Sequence, residues 1–147
     1  MKKRIANWGN FPAMESDVES FSFPDQLDQL LKGENAFIPR GNGRCYGDAS
    51  LAPRTISTLK FDKMLGFDRV AGIFECQSGL LLDQILTVII PSGWFLPVTP
   101  GTKFITVGGA VASDVHGKNH HIDGSFSNHL LDMDLVLISG ETITCSP

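Results

Sequence analysis

The spacing of apolar and polar positions divides the chain into short elements separated by glycine and proline. Over residues 25–32, Leu27, Leu30 and Leu31 fall on one face at helical spacing, which predicts a short helix ended by Gly33. Residues 1–24 mix polar and aromatic side chains, punctuated by Pro12 and Pro24, and read as irregular. Ala36, Phe37 and Ile38 form a short buried strand running into Pro39. Residues 55–61 and 70–77 read as strands, and Ser78 is placed to cap a helix over 80–90 that Pro91 and Gly93 close. Residues 94–98 read as a further strand, turned at Thr99, Pro100 and Gly101. A helix is predicted over 106–115, with Gly108 and Gly109 in its first turn and His116 at its end. Residues 130–138 alternate as a strand, and Ser139-Gly140 makes a two-residue hairpin turn into a second strand over 141–145. No strand–helix–strand rhythm repeats, so the expected class is α+β rather than doubly wound α/β.

Composition narrows the function classes. At 147 residues, 42 % hydrophobic and 19 % charged, the chain can bury one core, or two small subdomains sharing a core, and is not disordered. Its 12 Lys+Arg against 16 Asp+Glu give a net charge of −4, and the only basic run is Lys2-Lys3-Arg4, so no nucleic-acid partner is expected. The longest apolar stretch, 80–90, is about half of a membrane span and carries Asp83 and Gln84, so no transmembrane segment is expected. After the basic start, Ile5-Ala6 gives way to Asn7, Trp8, Gly9 and Asn10, which is no signal peptide. Three widely spaced cysteines, Cys45, Cys76 and Cys145, form neither a disulfide framework nor a zinc pattern and fit a reducing cytoplasm.

Candidate chemistry concentrates in two segments. The first is Pro39-Arg40-Gly41-Asn42-Gly43-Arg44-Cys45-Tyr46-Gly47-Asp48, within a long loop over 40–54. Its three glycines permit positive φ and close backbone approach, successive N–H groups can converge on an anion, and Arg40 and Arg44 can bind a pyrophosphate bidentately. The dinucleotide fingerprint fails, because Tyr46 stands at the third glycine and no helix opens over 48–53. The pattern leaves a phosphate nest or an Ω-loop shaped by glycine. Cys45 is either polarised by Arg44 or a small buried hydrophobe.

The second segment comprises Pro100-Gly101-Thr102 and the run from Thr106, Val107, Gly108 and Gly109 through Ser113, His116 and Lys118 to His121. A helix start carrying two glycines offers free N–H groups to a flat or anionic ligand, and the alternative is close helix–sheet packing. His116 and His120 are four apart, but Gly117 interrupts them and no Glu follows the first His, so no metal site is expected. The histidines then act as polar loop residues, with Asp114, Asp123, Asp132 and Asp134 as available partners.

Together these runs resemble FAD-linked oxidases with the vanillyl-alcohol-oxidase-like (PCMH-type) fold. The resemblance rests on residues 37–48, 97–109, 116–121, Gly124-Ser125-Phe126 and Asn128-His129. Within that family it points to the bacterial oxidoreductases similar to decaprenylphosphoryl-β-D-ribose oxidase. The resemblance implies an FAD-binding domain of two α+β subdomains: residues 1–60 with the pyrophosphate loop, and 61–147 as the first part of the second. The substrate domain lies beyond, and the stop at Pro147, just after a hairpin strand, reads as the edge of a fragment. By the same resemblance, residues 39–48 wrap the pyrophosphate, and Gly101, Thr102 and residues 106–109 follow the ribityl chain and flavin. Ser113 and His116 approach the ring, and His116 and Lys118 face the substrate. Members with covalently bound flavin carry His where this chain has Arg44, which implies dissociable FAD. The implied reaction is oxidation of a carbinol on a small sugar or polyol-type substrate, with hydride passing to the flavin. The competing readings are a non-catalytic flavin or nucleotide module and a small metal-binding protein.

Overall fold

The computed structural model describes residues 1–32 and 36–147. Where irregular chain was expected, strands β1 (Lys2–Ala6) and β2 (Ala13–Ser20) pair antiparallel. In β2, Glu15 and Asp17 are exposed while Ser16 is buried and Met14 and Val18 half-buried. That is a period-two pattern whose inward half is too polar to register as hydrophobic alternation. Helix α1 (Pro24–Leu31) places Pro in its first turn, where a missing N–H costs nothing. The expected stop at Gly33 lies outside the described residues.

Strand β3 (Ile38–Arg40) begins two residues later than the apolar run and takes Pro39 into the ladder. The proline is tolerated because β3 is an edge of a four-stranded sheet in the order β1-β2-β4-β3. Strand β4 (Arg54–Ser57) is central, parallel to both neighbours, with Thr55 and Ile56 almost wholly buried. Adjacent parallel strands need a crossover of about a dozen residues, usually a helix. Between β3 and β4 the crossover is the glycine loop itself, residues 41–53. Topology therefore demands a long connection at the point where the sequence supplies glycines. Arg54 bonds Glu19 of β2 (2.6 Å) and donates to the Leu30 carbonyl (2.7 Å), tying α1 to the sheet.

Strands β5 (Met64–Asp68) and β6 (Ile73–Cys76) form an antiparallel hairpin, of which only β6 falls within a predicted strand. Helix α2 (Leu82–Ile89) is not capped by Ser78. Its N-cap is Leu81, whose N–H donates to the Gln84 side chain (2.9 Å). Leu80, Leu82, Ile85 and Ile89 bury against Phe67 and Phe74, each contributing roughly 1.5–3 kcal/mol. A 3₁₀ turn (Ile90–Ser92) and Gly93, at φ 82°, end the helix. Residues 94–98 form no strand: Trp94 N–H bonds the Ile89 carbonyl (3.1 Å) and its indole bonds the Arg69 carbonyl (2.9 Å), turning the chain back on the helix end.

Helices α3 (Val107–Ala112) and α4 (His120–Asp123) follow, then a 3₁₀ turn (Phe126–His129). Strands β7 (Met133–Val136) and β8 (Thr142–Cys145) pair antiparallel as expected. Five residues, 137–141, separate the strands, and the Leu137–Glu141 pair closes a loop of three, 138–140, rather than two. Leu137 N–H bonds the Glu141 carbonyl (2.8 Å), and Gly140, at φ 86°, supplies the left-handed position. Among the described residues no helix is long and apolar enough to cross a membrane. The three cysteines are free thiols, and burial, with help from the Glu75 charge, pushes Cys76 up to about 11.

Candidate functional site

The two glycine-bearing segments meet. Asn42 donates its side-chain N–H to the Phe104 carbonyl (2.8 Å), and a Cβ on Gly41 would run into the side chain of Thr106. Thr106 is itself buried, so the loop lies against a fixed surface at the start of α3.

Within the loop, the donors and acceptors have different fates. Among the described residues, no backbone N–H of residues 41–48 donates to a protein acceptor. Three of the carbonyls, by contrast, are held. Cys45 O accepts from Trp8 N–H (3.1 Å), Gly47 O from the Asn7 side chain (3.0 Å) and Asp48 O from Leu51 N–H (2.8 Å). Gly43 at φ 61° and Gly47 at φ 56° break the run of negative φ, the geometry that turns successive N–H groups into one concavity. Cys45 is half-buried with its Sγ 3.2 Å from Ser50 Oγ, so its thiol belongs to the loop's packing. Tyr46 and Asp48 are exposed, and Pro39 sits at the exposed sheet edge leading into the loop.

The two arginines have separate roles. Arg40 does not present a free guanidinium to an anion as expected. It bonds Asn7 Oδ1, the Ser50 carbonyl (3.1 Å) and hydroxyl (2.8 Å), and the Ala6 carbonyl (2.7 Å), and burial lowers its pKa. It is a clasp that joins β3, the far side of the loop and β1. A Cβ on Gly43 would stand 2.7 Å from the Arg40 Cζ, so the glycine makes room for that clasp. Arg44 is exposed, stacks on the Trp8 ring at 5.4 Å, and has no carboxylate partner among the described residues.

The start of α3 overturns a second expectation. Its N–H groups are spent: Val107 on the Leu80 carbonyl (2.8 Å), Gly108 on the Ser78 carbonyl (2.8 Å), Gly109 on Thr106 Oγ1 (3.1 Å). A Cβ on Gly108 would lie 2.9 Å from Ser78 Cβ, so this glycine serves close packing. The unspent donors, among the described residues, belong to the loop and not to the helix start. Thr102 Oγ1 accepts Phe104 N–H (3.2 Å), while Gly101 is exposed with open space at its Cβ position.

Because α3 stops at Ala112, His116 is not at a helix end. Ser113 caps the helix, Asp114 turns the chain at φ 39°, and His116 forms an exposed bridge to Ser125. The Asp114 carboxylate accepts Ser127 N–H (2.9 Å) and the Ser125 hydroxyl (2.7 Å), bonds that hold it below the usual carboxylate range. Its tie between these turns is fully present above the usual carboxylate range and is lost only as pH falls below it, through the lowered pKa. Gly117 is buried near the Thr99 carbonyl, and Asn119 donates to the Pro97 carbonyl (2.9 Å), which anchors exposed His116 and Lys118 beside the 97–101 turn. His120 Nδ1 lies 3.1 Å from the Gly117 carbonyl and His129 Nε2 2.8 Å from the Asp123 carbonyl. Among the described residues no three ligating side chains cluster for a metal.

Sequence reasoning missed Asn7, Trp8 and Ser50. Asn7 is only 4 % exposed and serves Gly47, Arg40 and Ser50 at once. Gly9 and Asn10 are turn-forming residues, but nothing local shows that the Asn7 carboxamide is buried under a loop some forty residues away. On its own geometry the loop fits a pyrophosphate: unspent donors, left-handed glycines at Gly43 and Gly47 that curve the run of N–H groups, and, among the described residues, an exposed cation, Arg44, with no carboxylate partner.

Residues 29–146 match the family described as FAD binding domain. The chain is 34 % identical to decaprenylphosphoryl-β-D-ribose oxidase of Mycolicibacterium smegmatis over 152 aligned residues, covering 99 % of this chain and 33 % of the relative. It is 35 % identical to D-lactate dehydrogenase of Anaerostipes hadrus over 88 residues, covering 60 % and 18 %. Among solved structures, alkyldihydroxyacetonephosphate synthase superposes with a TM-score of 0.74 at 20 % identity, covering 90 % of this chain and 28 % of that one, which shows a shared fold. The chain spans about a third or less of the length of these relatives. Resting on the family match over most of its length and on the PCMH-type architecture, the chain belongs to the FAD binding domain family of FAD-linked oxidases, with FAD as its cofactor.

Proposed function

We propose that this chain is the FAD-binding portion of a flavin-dependent oxidoreductase that oxidises a carbinol on a sugar or polyol-type substrate, with FAD held non-covalently. The observation that carries the reading is the run of unspent N–H groups over residues 41–48, beside a free Arg44 and against Thr106. Residues 1–60 form the part that grips the pyrophosphate, and 61–147 begin the part that closes on the flavin. Relatives named for decaprenylphosphoryl ribose and for D-lactate support a carbinol substrate. The three free cysteines suit a reducing cytoplasm.

When bound, FAD supplies a hydride acceptor. The loop's donors and Arg44 would hold and neutralise the pyrophosphate. Gly101 and Thr102 would hold the stretch of cofactor between pyrophosphate and flavin, with Thr106 buried beneath the loop as its support. Exposed His116 and Lys118, anchored through Gly117 and Asn119, are assigned to the substrate side, orienting the hydroxyl or holding negative charge.

The test is anaerobic reduction of the purified intact gene product by a panel of sugar alcohols and 2-hydroxy acids, read as bleaching of flavin absorbance. Bleaching by a carbinol substrate is expected. A flavin-loaded protein that none of them reduces is instead the non-catalytic module. In the same enzyme, His116→Ala is expected to lower turnover about tenfold to a hundredfold with FAD retained. His120→Ala should be milder, because its ring is engaged with a backbone carbonyl, and EDTA should change nothing. Activity lost to EDTA and restored by zinc would contradict this assignment.

A further inference from the structure

The β1–β2 turn lies outside residues 29–146, the part matched by the family, yet it makes the decisive contacts to the cofactor loop. Asn10 N–H closes it on the Asn7 carbonyl (2.9 Å). From it, the Trp8 N–H takes the Cys45 carbonyl, the Asn7 side chain takes the Gly47 carbonyl, and the Trp8 ring carries Arg44. We propose that Asn7 and Trp8 are positioning residues for the FAD pyrophosphate. By occupying the carbonyls on the loop's far side they turn its N–H groups toward the anion, and by stacking Arg44 they hold its guanidinium ready. The inference rests on the pyrophosphate assignment made above.

Three features support this division of labour. Arg44 has no carboxylate to compete for it among the described residues, and the Trp8 ring is the contact that restrains it there. A peptide unit whose carbonyl is fixed has its N–H fixed in the opposite direction, so each bond to Cys45 O or Gly47 O also orients the following donor. Trp8 is about half exposed, which is costly for an indole with no partner but sensible for one that serves as a platform.

The test is a double-mutant cycle in the intact enzyme, with dissociation constants for FAD and for ADP measured by titration calorimetry on deflavinated protein. Trp8→Leu is expected to raise both constants several-fold to about tenfold, the range of a partly exposed cation–π contact. Trp8→Phe, which keeps a ring face, should stay within about twofold. Arg44→Gln should weaken binding at least as much as Trp8→Leu, and the double variant should be no worse than Arg44→Gln alone. Independent, additive losses, or a Trp8→Phe as weak as Trp8→Leu, would overturn the positioning role. Asn7→Asp keeps the acceptor for Arg40 and loses the donor to Gly47. It should weaken FAD and ADP binding with the circular dichroism of the folded protein retained, and unaltered affinity would count against the proposal. If the unmutated protein binds FAD but not ADP, the pyrophosphate assignment itself fails, a result distinct from any outcome among the variants.

Discussion

Gly43→Val is expected to leave the intact enzyme folded but without flavin. Gly43 sits at φ 61°, where a β-branched residue pays about 1–2 kcal/mol or more. Its new Cβ would also displace the Arg40 guanidinium, which connects the Ala6 carbonyl, Asn7 and Ser50 across the loop. Gly41→Val should act from the other side, by prying the loop off Thr106. Gly47→Ala is the internal control. It shares the positive φ, at 56°, but meets nothing within 4 Å, so it should weaken FAD binding by no more than about tenfold. The ratio of flavin to protein absorbance after purification, with circular dichroism to establish folding, checks all three. Full flavin occupancy in both valine variants would remove the loop from the cofactor site.

Gly79→Ala should damage the fold rather than the site. The residue is buried and its N–H bonds the Phe61 carbonyl (2.7 Å). A Cβ there would lie 2.5 Å from that same oxygen, 2.8 Å from the Thr58 carbonyl carbon, and still closer to the Thr58 oxygen. All three are backbone atoms, so no side chain can swing aside. Thr58 N–H in turn bonds the Arg40 carbonyl (2.9 Å), so the displacement passes to β3 and the mouth of the loop. A loss of roughly 3 kcal/mol or more is expected, at the upper end for overpacking. Gly101→Ala, exposed with open space around it, should be near neutral. Denaturant midpoints for the two variants decide this, and an unchanged midpoint for Gly79→Ala would contradict the packing.

What was legible in the sequence follows from which forces are local. The faces of α1 and α2 and the β7–β8 pair could be read because periodicity and turn chemistry act within a few residues. The loop could be read because glycine density is itself the signal. Strands β1 and β2 could not, since the buried side of β2 includes Ser16, bonded to Thr55 of β4 (2.7 Å), a partner supplied only by the assembled sheet. The same limit governs the site. Two glycine-bearing segments looked equally able to hold an anion, and they differ only in whether distant carbonyls have already taken their donors. Ser78 and Leu80 reach α3, whereas nothing reaches the N–H groups of 41–48 among the described residues. Arg40 and Arg44 were likewise indistinguishable until Asn7, Ser50 and Ala6 claimed one of them.

That distinction between spent and unspent donors can be measured directly. Amide hydrogen exchange of the intact enzyme, with and without FAD, reports each N–H separately. Residues 41–48 should exchange quickly in the deflavinated protein and become protected on adding FAD, while Val107, Gly108 and Gly109, already bonded, should change little. Protection that appears at residues 107–109 and is absent from 41–48 would contradict the placement of the pyrophosphate on the loop.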